Sequence, residues 1–348
     1  MTNMKILVIT REFPPYVVGG LSYHLENLYS EVSKKGHNIT VIAGRPRNVD
    51  PIDSIDIDPN IDVHWIDYPS MVAYHLQFPA FLYREIGNLS IDKYDIAVSH
   101  TELPFSLEIP TVYKFHDAKH EGRKYYRKTM GSLMKALETA LQPTRSWAAQ
   151  RSLDLADHLI FNSALTRKIW KREYTITSPS EVIHNGVDRD IFYPRDIENG
   201  EFVLFVGTIP RKGLGKVIDF AEKSPYPIYV AGDIKFNSDN LHSLGRLSQN
   251  QLAKYYSSAI ATIHPAKFEA FGNVILESLA CGTPVVVSEY CGAAEIVDDS
   301  CGRVTPNLLA GVEAVREIEQ APCVQKASKY SWENVANQTI GVFERTIA

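Results

Sequence analysis

The chain contains no long apolar run, few cysteines and no excess of positive charge. No apolar stretch reaches about 18 residues, and Lys5 and Arg11 interrupt the first one, so we expect neither a transmembrane helix nor a signal peptide. The net charge of -5 disfavours general nucleic-acid binding. The cysteines form no C-x-x-C pair, which argues against a thiolate zinc site and favours reduced thiols in the cytoplasm. They are Cys281, Cys291, Cys301 and Cys323.

The dinucleotide fingerprint G-x-G-x-x-G is also absent after the first predicted strand, Lys5–Thr10, which disfavours a dehydrogenase. A predicted helix follows, and then a second strand over 37–43. The apolar residues at helical spacing in that helix are Leu21, Leu25, Leu28 and Val32. This order predicts a parallel, doubly wound α/β sheet. A length of 348 residues, with 45% hydrophobic and 22% charged residues, predicts a globular protein of two domains.

The most informative stretch lies between residues 260 and 284. An apolar run over 260–264 predicts a buried strand, and a helix should follow that ends before a Gly and a Pro. Asn273 suits a helix N-cap and Gly272 lets a ligand approach the backbone, so we expect a phosphate site at this helix start. Glu269 and Glu277 would lie at most about 12 Å apart if the intervening residues were helical. This spacing disfavours a shared proton and favours contacts with opposite ends of one elongated ligand.

The stretch resembles the signature of the retaining GT-B glycosyltransferases of family 4. Two Glu are separated by seven residues, Phe-Gly lies between them, and Ala-Cys-Gly-Thr-Pro-Val-Val follows. The resemblance implies two Rossmann-like, doubly wound domains that face a central cleft. In that family the second Glu binds the ribose hydroxyls, the first Glu and the Phe-Gly backbone hold the donor hexose, and the helix start holds the diphosphate. The matching donor-binding residues are Glu269, Phe271, Gly272, Asn273, Val274 and Glu277.

A second match to the family follows the strand predicted over 202–207. The loop that starts at Gly207 contains Arg211 and Lys212. The resemblance implies that Gly207 belongs to the donor site and that the two cations neutralise the donor diphosphate. Fixed cations can do the work of a metal on a leaving nucleoside diphosphate. Many relatives carry Arg directly after the strand Gly, where this chain has Thr208, so Arg211 is the candidate substitute. Cations that merely face solvent are the alternative.

Two more loops match the family. Gly19 and Gly20 precede the first helix, and the resemblance implies that their amides face the diphosphate and the acceptor. A plain flexible loop is the alternative. Arg246 and Leu247 belong to a loop over 244–247 whose backbone would contact the base, although backbone contacts do not distinguish UDP, GDP and ADP.

His116 follows a strand predicted over 111–115, at the carboxyl edge where open α/β sheets bind ligands. The resemblance implies that it lies near the donor C1. His116 and His120 also fit H-E-x-x-H with Asp in place of Glu, which leaves a zinc hydrolase and a core histidine as alternatives. Asp-x-Asp, a metal motif of other glycosyltransferases, occurs over 56–58 and 188–190, but both copies fall in predicted surface loops. We therefore expect no metal site.

The predicted domains are 1–195, joined by a crossing helix over 329–348, and 196–328, which would bind the nucleotide sugar. Residues 114–151 carry nine basic and three acidic side chains, with apolar residues between them. This pattern favours a basic amphipathic helix that contacts anionic lipid or an anionic acceptor. A solvated helix face is the equal alternative.

Together these patterns predict a metal-independent, retaining hexosyltransferase with no cofactor besides its donor substrate. The donor would be a UDP- or GDP-sugar, and the acceptor a sugar, lipid-linked or other hydroxyl in glycan, glycolipid or polysaccharide synthesis. We expect a cytoplasmic protein, peripheral at the inner membrane face if residues 114–151 bind lipid. A catalytically inactive nucleotide-sugar-binding protein is the main alternative. A nucleotide-sugar epimerase or a phosphorylase would share the fold, but the sequence contains the motifs of neither.

Overall fold

The computed structural model describes residues 3–17, 20–52, 57–69, 73–127, 130–198, 200–234 and 238–348. Its first sheet contains seven strands in the order β3-β2-β1-β4-β5-β6-β7, and every pairing is parallel. The elements in chain order are β1 (Lys5–Thr10), α1 (Gly20–Lys34), β2 (Asn38–Pro46), β3 (Ile61–Tyr68), α2 (Tyr74–Ile86), β4 (Ile96–Ser99), β5 (Thr111–Phe115), α3 (Lys119–Tyr126), α4 (Ser132–Ala140), α5 (Gln142–Asp154), β6 (His158–Phe161), α6 (Ala164–Glu173) and β7 (Ser180–Val182).

The second sheet contains six parallel strands in the order β10-β9-β8-β11-β12-β13. Its elements, and the helices that follow it, are β8 (Val203–Val206), α7 (Leu214–Ala221), β9 (Ile228–Ala231), β10 (Leu241–Gly245), α8 (Gln249–Ser258), β11 (Ala261–His264), α9 (Asn273–Ala280), β12 (Val285–Val287), β13 (Gly302–Val304), α10 (Leu308–Val315), α11 (Gln320–Ser328) and α12 (Trp332–Ile347). The strand order reverses beside β1 in one sheet and beside β8 in the other. Open α/β sheets bind ligands at such a reversal, outside the carboxyl ends of the strands.

Each sheet is apolar on both faces because helices cover both. In β1, Ile6 and Val8 pack into one core, while Leu7 and Ile9 pack into the other. The last helix, α12, lies against α1, and Ile340 and Phe343 share a core with the first sheet. The chain therefore returns to its first sheet after the second is complete. The predicted domain boundary at residues 195 and 196 stays a prediction.

Three helices begin at serine N-caps. Ser163 caps α6 by accepting a hydrogen bond from the Thr166 N–H at 3.0 Å. Ser248 and Ser331 likewise accept bonds from the third residue of α8 and of α12. Each serine lies just before an apolar-periodic segment, which is the local signal for a helix start.

One helix prediction needs correction. The single basic helix expected within 114–151 is three helices, α3, α4 and α5. Gly131 precedes α4 and Pro143 lies in the first turn of α5, and both residue types interrupt helices. Among the described residues, no helix is both long and apolar enough to cross a membrane.

The contact between α12 and the first sheet gives a prediction about stability. Phe343 is fully buried, so Phe343→Ala should lower the free energy of unfolding by about 3–5 kcal/mol because it leaves a cavity. Ile347, 40% exposed on the same helix, provides the control Ile347→Ala. Urea unfolding followed by circular dichroism measures both. A loss for Phe343→Ala no larger than for the control would contradict this packing.

Candidate active site

A cavity of about 650 Å³ lies between the carboxyl ends of the two sheets. Its lining combines residues that follow β1, β4 and β5 with residues that follow β8 and β11. Ten of the predicted site residues line it: Gly20, His116, Arg211, Lys212, Glu269, Phe271, Gly272, Asn273, Val274 and Glu277. The fold thus brings residues that are distant in sequence to one cavity.

The loop between β11 and α9 forms one wall. Gly272 is the N-cap of α9, with φ of 103°, and no side chain caps this helix. This corrects the prediction that Asn273 is the N-cap. Asn273 is the first helical residue, and its side-chain oxygen accepts a hydrogen bond from the Asn185 amide at 2.8 Å. A Cβ at Gly272 would come within 2.8 Å of the Cys291 sulfur. Both the positive φ and this close contact therefore require a glycine.

Glu269 lies at the centre of this wall, with only 12% of its side chain exposed. Arg211 Nη1 lies 3.1 Å from Glu269 Oε1. Burial alone would raise the pKa of the Glu269 carboxyl, but Lys212 and Arg211 outweigh it and hold the pKa below its usual range. His264 is 3.8 Å from the other oxygen, and burial lowers its pKa to about 4, so it is neutral at neutral pH. Glu269 is therefore ionised and held by two cations.

The two cations come from a 3₁₀ turn, Pro210–Lys212, that follows β8. The turn ends at Gly213, with φ of 93°, where a Cβ would lie 2.1 Å from the Pro265 carbonyl oxygen. Arg211 also donates a hydrogen bond to the Phe268 carbonyl oxygen at 3.1 Å. The loops after β8 and β11 therefore hold each other, and the positions of both cations are fixed.

Glu277 lines the cavity from within α9. The Tyr256 hydroxyl donates a hydrogen bond to Glu277 Oε2 at 2.9 Å. Burial raises the pKa of Glu277, and Tyr256 and Lys212 oppose this only in part. The charge of Lys212 thus acts to lower the pKa of both Glu269 and Glu277.

A row of buried aromatic and histidine side chains forms the opposite wall. A 2.7 Å hydrogen bond joins His100 Nδ1 to His116 Nε2, and the Tyr29 hydroxyl lies 2.6 Å from His100 Nε2. The His24 ring lies edge-on to His116, with 4.5 Å between centroids. Burial lowers the pKa of His24, His100 and His116 well below the usual value, so all three are neutral at neutral pH. If Tyr29 donates to His100, His116 keeps its proton on Nδ1, available to a ligand.

The sequence alone did not single out His24, His100 or Lys114 as site residues. They come from α1, the end of β4 and β5, and they meet only because β1, β4 and β5 are neighbours in the sheet. A charged residue inside the apolar run over 111–115 was the one available signal for Lys114. His24 and His100 had no such signal.

Comparison with known proteins identifies the family to which the chain belongs. Residues 18–191 match the family described as Glycosyltransferase Family 4, and residues 188–321 match Glycosyl transferases group 1. The chain belongs to the family 4 glycosyltransferases.

Similar proteins agree in length and fold. An uncharacterised glycosyltransferase of Methanocaldococcus jannaschii is 25% identical over 398 aligned positions, which cover 98% of each chain. The structure of sucrose-phosphate synthase from Thermosynechococcus elongatus superimposes with a TM-score of 0.75, at 17% identity and 98% coverage of both chains. Anabaena HepE, solved with UDP and glucose, gives a TM-score of 0.69 at 17% identity, covering 98% of this chain and all of that one (100%). The predicted GT-B fold of this family 4 glycosyltransferase is confirmed.

Three predicted site residues of the glycosyltransferase that the structure describes do not line this cavity: Gly207, Arg246 and Leu247. Gly207 lies under the Lys212 side chain, because a Cβ there would be 2.6 Å from Lys212 Cδ. Arg246 and Leu247 follow the edge strand β10 and are absent from the lining. Gly19 lies outside the described residues. The donor-binding roles of these four residues stay predictions.

Lys114 stands out on the first-sheet wall of the glycosyltransferase cleft. It is 1% exposed, and its Nζ has no hydrogen-bond partner in the part of the chain that the structure describes. Burial lowers the pKa of this amine to about 7. An unpaired buried amine destabilises the fold when it is charged.

This amine gives a prediction about pH. The folded-state pKa near 7 lies below the ordinary value of 10.5, so the unfolded chain binds more protons between those pH values. The contribution of Lys114 to stability is therefore most unfavourable at and below about pH 7, and this penalty disappears as the pH approaches 10.5. Lys114→Met should be more stable than the wild type at pH 7, and the advantage should shrink as the pH rises. Urea unfolding at several pH values measures this, with Lys223→Met as the exposed control. A pH-independent difference would show that Lys114 is not buried as a charged group.

Proposed function

We propose that this glycosyltransferase moves a hexose from a nucleoside diphosphate sugar to an acceptor hydroxyl, with retention of anomeric configuration and without a metal. One observation carries the proposal: Glu269, Arg211 and Lys212 form a compact ionic group at the start of α9, inside one cavity with Glu277. Fixed positive charge beside a helix N-terminus suits a diphosphate. Two carboxylates beyond it suit the hydroxyl groups of a sugar and a ribose.

Charge stabilisation would come from Arg211 and Lys212. As the bond between C1 and the diphosphate oxygen breaks, negative charge grows on the leaving group, and fixed cations stabilise it more than they stabilise the donor. The acceptor oxygen bonds to C1 on the same face, and its proton passes to the diphosphate oxygen. The step therefore needs neither a separate base nor a metal ion.

Sugar positioning would come from both walls of the cleft. Glu269 accepts hydrogen bonds from hexose hydroxyls, together with the backbone of Phe271 and Gly272. His116 Nδ1–H donates from the opposite wall near C1. Glu277 holds the ribose hydroxyls while Tyr256 fixes one of its oxygens.

The donor nucleotide is UDP or GDP in this proposal, with the base beside Arg246 and Leu247. The complex of Anabaena HepE with UDP and glucose makes UDP-glucose the first donor to test. The acceptor would enter along the first-sheet wall, next to Gly20 and His24. In this proposal the acceptor is a sugar, a lipid-linked hydroxyl or another hydroxyl, and the reaction belongs to glycan, glycolipid or polysaccharide synthesis.

The proposal also includes membrane contact, which α4 would make. None of its residues is buried, and Leu133, Met134 and Leu137 are exposed apolar side chains. Lys124 and Arg127 lie nearby in sequence, so the surface combines apolar and basic groups, as peripheral membrane contacts do. The protein would then act at the cytoplasmic face of a membrane.

Two other functions are weaker candidates. Thr208 occupies the position where many relatives carry Arg, which keeps an inactive donor-binding protein as the second candidate. A zinc hydrolase has less support because His116 and His120 line different cavities. His116 lines the central cleft, whereas the His120 ring packs against Trp170 and Tyr174 beside a separate small cavity.

Nucleoside diphosphate release tests the proposal. Purified protein is mixed with UDP-, GDP- and ADP-sugars, with and without candidate acceptors. Lys212→Ala should reduce kcat by about 10²–10³-fold, since it removes one fixed charge from the leaving group. Glu269→Gln should cause a loss of similar size because the sugar is no longer positioned. Lys223→Ala and Glu222→Ala are exposed controls that should retain wild-type rates.

Each outcome of the donor assay decides between functions. If one donor releases nucleoside diphosphate with the wild type but not with Lys212→Ala or Glu269→Gln, the result supports the transferase and identifies its nucleotide. Tight nucleotide binding without release supports the inactive binder. Absence of both binding and release would refute the proposed site.

Metal dependence is a separate prediction. Turnover should persist in EDTA, because Arg211 and Lys212 supply the positive charge that a metal would otherwise supply. His120→Ala should retain activity, whereas His116→Ala should lose it. Chelator-sensitive activity that requires both histidines would instead support a metal-dependent hydrolase.

A further inference from the structure

A second cavity, of about 590 Å³, lies outside the candidate active site and shares no lining residue with it. Residues of α3 and α6 form one side, and α7 with the loops after β11 and β12 forms the other. Its size suits a small-molecule ligand. Nothing in the proposed transfer reaction uses this cavity.

One face of α6 lines the second cavity. Leu165, Lys168, Ile169 and Arg172 follow one another at the spacing that places side chains on a single helix face. The face thus alternates apolar and cationic side chains. An apolar groove alone would not require these charges, and a fully solvated face would not require the apolar residues.

Positive charge in the cavity is only partly neutralised. Arg172 pairs with the cavity's one lining carboxylate, Glu121, at 2.7 Å. Lys168, Lys216 and Lys267 form no ion pair with any residue that the structure describes. Three uncompensated ammonium groups around one cavity favour an anion with several acceptor oxygens, such as a phosphate.

Aromatic rings complete the lining. Tyr290 is 52% exposed, whereas Phe268 is 2% exposed in the cavity floor. Tyr125 also lines the cavity, and its hydroxyl donates a hydrogen bond to the Lys267 carbonyl oxygen at 3.0 Å, across the junction. An exposed ring with a polar tip can pack against the apolar face of a sugar ring and hydrogen-bond to its hydroxyls.

We propose that the second cavity binds a small phosphorylated saccharide. Its phosphate lies among Lys168, Lys216 and Lys267, and its sugar ring lies on Tyr290. A bare phosphate would leave the ring and the apolar residues of α6 unused, and a neutral sugar would leave the lysines unpaired. The site therefore favours a ligand that carries both a phosphate and a sugar ring.

The second cavity adjoins the active-site loops. The Lys267 N–H donates to the Arg211 carbonyl oxygen at 2.8 Å, and the Phe268 carbonyl oxygen accepts from the Arg211 guanidinium. Lys267 and Phe268 directly precede Glu269. A ligand held between α6 and this segment would therefore steady the loop that carries the catalytic carboxylate.

Isothermal titration calorimetry with the full chain tests the proposal. The probes are glucose 1-phosphate, glucose 6-phosphate, glucose and inorganic phosphate. We expect at least one sugar phosphate to bind more tightly than phosphate or glucose alone. Lys168→Glu/Lys267→Glu and Tyr290→Ala should each weaken that binding at least tenfold. The matched control Lys171→Glu/Lys223→Glu changes two exposed lysines outside the cavity and should bind as the wild type does.

The cleft variant Lys212→Ala separates this site from the proposed donor site. A sugar phosphate in the second cavity binds this variant unchanged, whatever the outcome of the transferase assay. Loss of binding in Lys212→Ala, with binding retained in Lys168→Glu/Lys267→Glu, would show that the ligand occupies the cleft and would overturn the proposal. Absence of sugar phosphate binding, or equal binding of inorganic phosphate with no effect of Tyr290→Ala, would overturn it as well.

Discussion

The burial of the Glu269 carboxylate constrains the whole second-domain wall. An ionised carboxylate with little solvent contact is stable only beside compensating charge. Arg211 and Lys212 provide that charge from a different loop, so the loops after β8 and β11 cannot move independently. Gly213 and Gly272, both with positive φ, let the backbone make the required turns.

The same wall attaches the second domain to the first. The carbonyl oxygen of Ala270, next to Glu269, accepts hydrogen bonds from the Ser163 and Thr166 hydroxyls at 2.6 and 3.1 Å. Glu295 accepts the first N–H of α6, at Ala164, at 3.0 Å. An acidic group at a helix N-terminus is favourable in itself. The start of α6 therefore holds the loop that carries Glu269, and domain pairing and the geometry of the candidate site depend on the same contacts.

The sequence predicted what local patterns can encode. The parallel sheets and the cation loop followed from hydrophobic periodicity and a family signature, and most of the predicted site residues share one cavity. Apart from Gly20 and His116, the first-sheet wall was not predicted, because His24, His100 and Lys114 are brought together by strand order. The N-cap of α9 was misassigned because Asn273 has the right chemistry, while the backbone turn beside Cys291 requires the neighbouring glycine. The three helices within 114–151 were read as one because the basic pattern continues across Gly131.

The two walls of the cleft differ in the kind of charge they carry, and this difference bears on which substrate each one holds. The second-domain wall has charges that persist at neutral pH: two cations and an ionised Glu269. The other wall combines three neutral histidines and Lys114, whose pKa is about 7, with Arg11 and three carboxylates. The carboxylates are Glu12, Glu102 and Asp117. Permanent charge suits a diphosphate, whose charge is also permanent. Neutral donors and acceptors suit hydroxyl groups, which can both give and accept hydrogen bonds. The electrostatics of the cleft thus support the proposed division, with the donor diphosphate on the second domain and a hydroxyl acceptor against the first.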